Sequence, residues 1–123
     1  RYDTWYEHIV LWDDQACELA GAYRVARCAP ILAERGLKGL YTSSLFDYDP
    51  RMLPLLEHGV ELGRSFVAEK YWGSRSLDWL WCGIGAWLAR HPRVRWLFGP
   101  VSISAALPRA AREQLVSYYG HYY

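Results

Sequence analysis

The segment Gly59-Val-Glu-Leu-Gly-Arg-Ser-Phe-Val67 is followed by the polar turn Tyr71-Trp-Gly-Ser-Arg-Ser76 and by the apolar run Leu77-Asp-Trp-Leu-Trp-Cys-Gly-Ile-Gly-Ala-Trp-Leu-Ala89. The first part is short and rich in β-forming residues, which predicts a strand. The last part repeats its apolar residues at intervals of three and four, which predicts a helix. We therefore expect a strand, a tight loop and a helix, and the rest of the chain is interpreted around this unit.

The loop of this unit is a candidate anion site. A helix that begins just beyond a strand end leaves backbone N–H groups unpaired in its first turn, and the helix dipole favours negative charge there. Ser74, Arg75 and Ser76 would add side-chain donors, so a phosphate group fits this position. The alternative is that Ser74 or Ser76 only caps the helix, with Asp78 in the first turn.

The rest of the chain predicts a mixed sheet flanked by helices. Residues 9–12 and 19–25 indicate a hairpin, whereas residues 30–58 contain several Pro and Gly residues and indicate an irregular connection of turns or short helices that covers the core or an apolar groove. Residues 94–104 predict a strand interrupted at Gly99-Pro100, and Pro108 is expected to occupy the first position of a last helix. The fold class is α/β (α+β).

Length and composition indicate one domain. A chain of 123 residues with 52% hydrophobic content can bury one core, so residues 1–123 are interpreted as a single domain. The chain starts at Arg1 and stops at Tyr123 within a helical pattern, which suggests a fragment or an excised domain of a longer protein.

Several classes of protein do not fit the sequence. The three cysteines form no Cys-x-x-Cys pair, and the four histidines lack ligand spacing, so we expect neither a disulfide framework nor a metal site, and we expect a cytoplasmic protein. No apolar run approaches the ~18 residues of a membrane span. Basic and aromatic residues do not alternate as in nucleic-acid binders, so nucleic acid is not an expected partner.

Charge is unevenly distributed along the chain. Residues 1–61 contain six Lys/Arg against ten Asp/Glu, and residues 62–123 contain eight against three. An acidic half beside a basic half would suit a site that binds a cationic substrate and a phosphate-bearing donor. Solvated surface charge without such a role is the alternative.

Motifs along the chain resemble one family. They are Gly21-Ala-Tyr-Arg24, Glu61-Leu-Gly-Arg64, and Phe98-Gly-Pro-Val-Ser102. In this order they resemble the GNAT-like N-acyltransferases related to ornithine lipid synthases, many of which are labelled hemolysins, and more distantly the acyl-homoserine-lactone synthases. The resemblance implies a mixed, mostly antiparallel sheet whose central strands splay apart to admit a thioester donor.

The resemblance also implies a reaction. It is the transfer of an acyl chain from a pantetheine thioester, on acyl carrier protein or coenzyme A, to the amine of a small acceptor such as an ornithine-like amino acid, in aminolipid synthesis. No permanently bound cofactor is implied, and the expected location extends to peripheral contact with the inner face of the membrane. Two alternatives remain: a non-catalytic module of a larger membrane-associated acyltransferase that binds lipid or acyl carrier protein, and a purely structural fragment of such an enzyme.

Site residues follow from the same resemblance. Glu61 would accept a proton from the attacking amine, and Arg64 would fix Glu61 or bind the acceptor carboxylate. The acceptor-binding residues implied are Arg24, Asp3 and Ser102. The donor-binding residues implied are Val67, Tyr71, Gly73, Ser74, Arg75 and Ser76.

Two geometric expectations accompany these roles. Residues three apart in a regular strand point to opposite faces, so Glu61 and Arg64 could share a site only if the pleat is broken, and we expect a β-bulge within residues 62–64 at Gly63. Pro100 has no N–H to offer a neighbouring strand, so pairing should fail near it and leave a V-shaped opening. A structural salt bridge from Glu61 to Arg24 is the alternative to a catalytic role.

Overall fold

The computed structural model describes residues 2–122 and contains a four-stranded sheet with strands in sequence order. β1 (Glu7–Asp13) and β2 (Glu18–Arg27) form the antiparallel hairpin predicted from the sequence. Asp13 closes the turn between them, because its carboxylate accepts the backbone N–H groups of Gln15 and Ala16.

The remaining strands splay apart. β3 (Gly59–Val67) is antiparallel to β2, and β4 (Trp96–Phe98) is parallel to β3 through only three residue pairs that end at Glu61 and Phe98. The predicted interruption at Gly99-Pro100 is therefore confirmed, but the predicted strand over 94–104 is too long. Gly99 lies directly against the Leu62 carbonyl and Pro100 lacks an N–H, so the ladder cannot continue.

The connection between β2 and β3 is more helical than predicted. It begins with α1 (Cys28–Arg35), a short helix whose place was not predicted because Pro30 was interpreted as a residue that breaks regular elements. Pro30 lies in the first turn, where its missing N–H has no intrahelical partner to lose. The remainder consists of 3₁₀ turns and the single-turn helix α2. Their bounds are Leu37–Gly39, Thr42–Ser44, Pro50–Met52 and, for α2, Leu53–Leu56.

Helix α3 (Ser76–Ala89) covers one face of the sheet. Its Leu80 and Ile84 are buried, as are Val25 and Val60 on the strands of this face. Burial of such side chains contributes about 1.5–3 kcal/mol each. The predicted strand–loop–helix unit is thus confirmed.

The opposite face is covered by α1 and the connection that follows it. Its buried apolar residues are Tyr6, Ala26, Cys28, Ile31, Leu40 and Leu56. Leu40 confirms that part of the connection covers the core, whereas Leu45 and Phe46 stay exposed. Because β3 is covered on both faces, residues 59–62 are all buried.

The last helix, α4 (Arg109–Tyr122), begins one residue later than predicted. The Pro108 carbonyl accepts the first helical hydrogen bond, from the Arg112 N–H at 3.1 Å, so Pro108 immediately precedes the helix. None of the described residues of α4 is buried, and its apolar residues Leu115 and Tyr118 face solvent.

Candidate active site

Glu61 and Arg24 lie on the same face of neighbouring strands. Arg24 on β2 is opposite Gly63 on β3, and Glu61 is opposite Ala26, so the two charged residues are diagonal neighbours. Both side chains are almost completely buried, with exposed fractions of 1% for Glu61 and 2% for Arg24. Burying a carboxylate and a guanidinium costs desolvation energy, which only good geometry and further hydrogen bonds compensate. A buried pair that is incompletely compensated is therefore a candidate functional site.

The Glu61 carboxylate is hydrogen-bonded through one oxygen only. Oε2 accepts the hydroxyls of Tyr6 at 3.2 Å and Thr42 at 3.1 Å, while Oε1 is buried without a hydrogen-bond partner among residues 2–122. Burial raises the pKa of Glu61, and the backbone and hydroxyl of Thr42, the Tyr6 hydroxyl and the Arg24 charge oppose that rise. The net effect is a raised pKa, which is the direction that a carboxylate acting as a general base near neutral pH requires.

Arg24 is also only partly satisfied. Its Nη1 donates to the Asp3 carboxylate at 2.9 Å, and its guanidinium carbon lies 4.6 Å from the centre of the Tyr6 ring and 5.4 Å from that of Tyr41. Its Nε and Nη2 are buried without partners in the described part of the chain. The hydrogen bond from Arg24 is the main cause that lowers the pKa of Asp3.

The predicted β-bulge is present but is centred beyond Gly63. Gly63 pairs regularly with Arg24, and the register shifts before Phe66, so the extra residue falls at Arg64–Ser65. Arg64 has a φ of 46°, a left-handed conformation that a non-glycine residue rarely adopts. The backbone change therefore occurs at Arg64 itself.

Arg64 is exposed and forms no ion pair with a carboxylate among residues 2–122. Its charge helps to lower the pKa of Asp3, after the hydrogen bond and charge of Arg24. Arg24, rather than Arg64, is the cation that acts on Glu61. The predicted acceptor-binding residues Asp3 and Arg24 thus lie on the same side of the sheet as the predicted base Glu61, with Arg64 at the exposed edge.

The predicted donor loop is ordered by its own side chains. Gly73 has a φ of 74°, and the Ser74 hydroxyl accepts the Ser76 N–H at 3.2 Å and donates to the Tyr71 carbonyl at 2.6 Å. Ser74 thus accepts one backbone N–H at the start of α3, whereas Arg75 occupies the N-cap position and forms no side-chain cap. Arg75 is exposed and pairs with Asp78 at 3.4 Å.

Two other predicted donor residues already have partners within the chain. The Tyr71 hydroxyl lies 2.6 Å from an Asp13 oxygen and 2.8 Å from a Glu18 oxygen, which ties the loop to the β1–β2 turn. Hydrogen bonding to Asp13 is the first cause of a raised Tyr71 pKa. The Val67 carbonyl accepts the indole N–H of Trp72 at 2.8 Å.

Ser102 is exposed in the irregular segment after β4, and among residues 2–122 it forms no hydrogen bond with Glu61, Arg24 or Asp3. Conversely, the hydroxyls that bind Glu61 were not predicted. Tyr6 precedes β1 and Thr42 lies in the connection, 55 and 19 residues from Glu61. No periodicity or motif in the sequence links them to Glu61.

Residues 2–122 contain neither a metal-binding cluster nor a membrane-spanning helix. Within that range no group of three or more His, Cys, Asp or Glu side chains is placed to bind a metal ion. No helix there has both the length and the apolar character needed to cross a membrane.

Residues 1–82 match the family model described as an acetyltransferase (GNAT) domain, so this chain belongs to the GNAT acetyltransferase family. It is also 32% identical to a glycine N(alpha)-acyltransferase of Bacteroides thetaiotaomicron, over 94% of this chain and 38% of that protein. An L-ornithine N(alpha)-acyltransferase of Brucella abortus is likewise 32% identical, over 89% of this chain and 40% of that protein.

The chain thus spans about two fifths of the length of these curated relatives. The resemblance inferred from the motifs is confirmed, and so is the mixed sheet with splayed strands. No solved structure matches the chain significantly.

Proposed function

We propose that the protein transfers an acyl chain from a pantetheine thioester to the α-amine of a small amino acid. One observation carries the proposal: within the described residues 2–122, the buried Arg24 has two donor atoms without partners, and the buried Glu61 has one such acceptor atom. An α-amino acid has a carboxylate that accepts and an amine that donates, so it complements both. Leaving these groups unsatisfied would be costly.

The acceptor would be bound and activated by these residues. Arg24 would use Nε and Nη2 to bind the acceptor carboxylate through two parallel hydrogen bonds, with Asp3 fixing the guanidinium from the other side. Glu61 Oε1 would take the proton of the ammonium group, which leaves a neutral amine. Arg64 would add positive charge near the acceptor carboxylate.

The reaction needs no covalent enzyme intermediate. The neutral amine attacks the thioester carbonyl and a C–N bond forms. The C–S bond then breaks, the nitrogen loses its extra proton to become an amide, and the leaving thiolate takes up one proton, so the protons balance. The donor would enter where β3 and β4 diverge after Glu61 and Phe98. Its amide group would replace the Trp72 indole on the Val67 carbonyl, and its phosphate would lie near Arg75 at the start of α3.

A non-catalytic binding role accounts less well for the buried Glu61 and Arg24. A binding module of this kind would need the apolar groove and the basic face, but not a buried carboxylate with an unpaired oxygen. The names of the relatives, glycine and L-ornithine N(alpha)-acyltransferases, point in the same direction. We infer glycine or an ornithine-like amino acid as the acceptor class.

Thiol release by the full-length protein tests this function. Acyl carrier protein and coenzyme A thioesters would each be incubated with glycine, ornithine, glycine amide and 4-aminobutyrate. Glycine or ornithine should release thiol and form the N-acyl product, whereas glycine amide lacks the carboxylate and 4-aminobutyrate places it too far from the amine. Equal use of glycine amide, or no release with any amino acid, would overturn the proposal.

A further inference from the structure

We propose that Tyr6 and Thr42 are positioning residues that hold the Glu61 carboxylate by one oxygen and leave the other free for the acceptor amine. This inference rests on the proposed function and deepens it. It concerns two hydroxyls that no motif in the sequence points to. Tyr6 and Thr42 lie in segments outside the sheet, and their hydrogen bonds connect Glu61 on β3 to the segments that cover this face of the sheet.

The Tyr6 hydroxyl both accepts and donates a hydrogen bond. It accepts the backbone N–H of Tyr41 at 2.7 Å, so its own proton is free to be donated. The Glu61 oxygen lies at 3.2 Å and the Gly39 carbonyl at 3.4 Å, which makes the negatively charged carboxylate the nearer and stronger acceptor.

The Thr42 hydroxyl belongs to a directed chain of hydrogen bonds. It lies 3.1 Å from Glu61 Oε2 and is also hydrogen-bonded to the Tyr48 hydroxyl. A hydroxyl has one proton, and the ionised carboxylate cannot donate. Thr42 therefore donates to Glu61, and Tyr48 donates to Thr42.

Both donors converge on Oε2, so rotation of the carboxylate would break two hydrogen bonds. Oε1 is consequently the oxygen that remains available, in agreement with its lack of a partner. This orientation matters because a general base must be within hydrogen-bond reach of the proton that it removes.

The other groups that face Glu61 leave this arrangement intact at neutral pH. Burial raises the pKa of Tyr6 and of Tyr48, and it raises the pKa of the Cys28 thiol to about 12. All three therefore stay protonated and uncharged. Arg24 is the charged group among those that act on the Glu61 carboxyl.

The test uses the full-length protein and the variants Tyr6→Phe, Thr42→Val and Thr42→Ser. Loss of one donor to the carboxylate should raise the Glu61 pKa by about one unit, because a hydrogen bond to a charged group has about that energy. The acidic limb of the kcat/KM profile should move to higher pH in Tyr6→Phe and Thr42→Val. Thr42→Ser keeps the hydroxyl and should keep the wild-type profile.

Tyr23→Phe is the matched control, since Tyr23 lies on β2 and packs against Trp81 on the other face of the sheet. It should leave the profile unchanged. A carbon-13 NMR titration of Glu61 provides a second measurement that needs no turnover.

An unshifted Glu61 titration in folded Tyr6→Phe and Thr42→Val would overturn the positioning role. A shifted titration in a protein that forms no N-acyl product would support the positioning role and overturn the proposed function.

Discussion

Arg24 donates to Asp3 across 2.9 Å, although Arg24 is buried and the Asp3 side chain is 47% exposed. This ion pair therefore reaches from the surface to the sheet interior, where the Arg24 charge acts on the buried Glu61 and where Arg24 Nε and Nη2 have no hydrogen-bond partner among residues 2–122. Asp3 thus holds the buried guanidinium through Nη1 and leaves Nε and Nη2 for the proposed acceptor carboxylate.

Replacement of Arg24 by Lys tests that relationship. Lys keeps the charge but loses the planar pair of donors, so bidentate binding of the acceptor carboxylate is lost. We expect KM for the amino acid to rise roughly 10- to 100-fold, which corresponds to a charged hydrogen bond of 1.5–3 kcal/mol. Initial rates at varied acceptor concentration measure this, with KM for the thioester as the internal control. An unchanged acceptor KM would show that Arg24 is structural.

Glu61→Gln separates a catalytic carboxylate from a structural one. The amide has nearly the same shape and its oxygen can still accept from Tyr6 and Thr42, but it cannot take a proton. Turnover should fall by roughly 10²-fold or more. Full activity in this variant would exclude Glu61 as the base.

The same variant has a predicted effect on stability with a definite sign. Burial raises the Glu61 pKa in the folded state, so the wild-type protein loses stability as pH rises from about 4.3, the ordinary value, through the raised pKa. Glu61→Gln lacks this loss. Its free energy of unfolding relative to wild type should therefore increase across that pH window, as measured by urea denaturation at several pH values. A difference that does not vary with pH would contradict the assignment.

The parts of the fold that local sequence determines were predicted well. The strand Gly59–Val67 and the helix Ser76–Ala89 follow from apolar spacing, which depends on neighbouring residues. Short helices were expected in the connection, but the position of Cys28–Arg35 was not, because proline is tolerated in a first turn and breaks a helix interior. Without a clear N-cap residue before Pro30, the sequence does not indicate whether Pro30 lies in a first turn or in a helix interior.

The site was predicted less completely because it depends on long-range packing. Glu61, Arg24 and Asp3 came from the resemblance, but the hydroxyls of Tyr6 and Thr42 reach Glu61 only after the connection folds over the sheet. The bulge was assigned to Gly63 from the conformational freedom of glycine. In the structure Arg64 adopts the left-handed conformation, so the composition of the segment did not identify the exact residue.

Arg64→Gly distinguishes the backbone role of this position from its charge. Glycine adopts φ of 46° without steric cost, so the variant should unfold with a free energy within about 1 kcal/mol of wild type. If the guanidinium contributes to the reaction, kcat/KM should still fall about tenfold or more. Arg64→Lys keeps the positive charge and should retain part of the activity, but it keeps a side chain at φ of 46° and should therefore not gain the backbone freedom of the glycine variant. Wild-type kcat/KM in the folded glycine variant would leave Arg64 without a chemical role.

Arg75→Ala tests the donor site. Arg75 is 77% exposed, pairs with the exposed Asp78 of the same turn and lies 5.5 Å from the centre of the Trp79 ring, so its removal should barely change the unfolding transition. If it binds a phosphate of the donor, KM for the thioester should rise several-fold, and more at low ionic strength. Arg109→Ala is a matched control, because Arg109 is 85% exposed and pairs with Glu113 one turn away. Equal effects of the two variants on donor KM would refute the assignment.

Gly99→Ala tests the splay between β3 and β4. A Cβ atom at this position would overlap the Leu62 carbonyl oxygen, and backbone atoms cannot move aside as a flexible side chain can. The variant should lose roughly 1–3 kcal/mol of stability, the usual cost of overpacking, and the pairing of Trp96–Phe98 with Gly59–Glu61 should weaken. Gly85→Ala is the control, since a Cβ there meets no atom within 4 Å and lies in a helix, where alanine should gain about 0.5–1 kcal/mol. Thermal unfolding of both variants, with hydrogen exchange of the β4 amides, measures these effects. If Gly99→Ala is as stable as wild type and its β4 amides stay equally protected, close contact at Gly99 does not determine where the two strands separate.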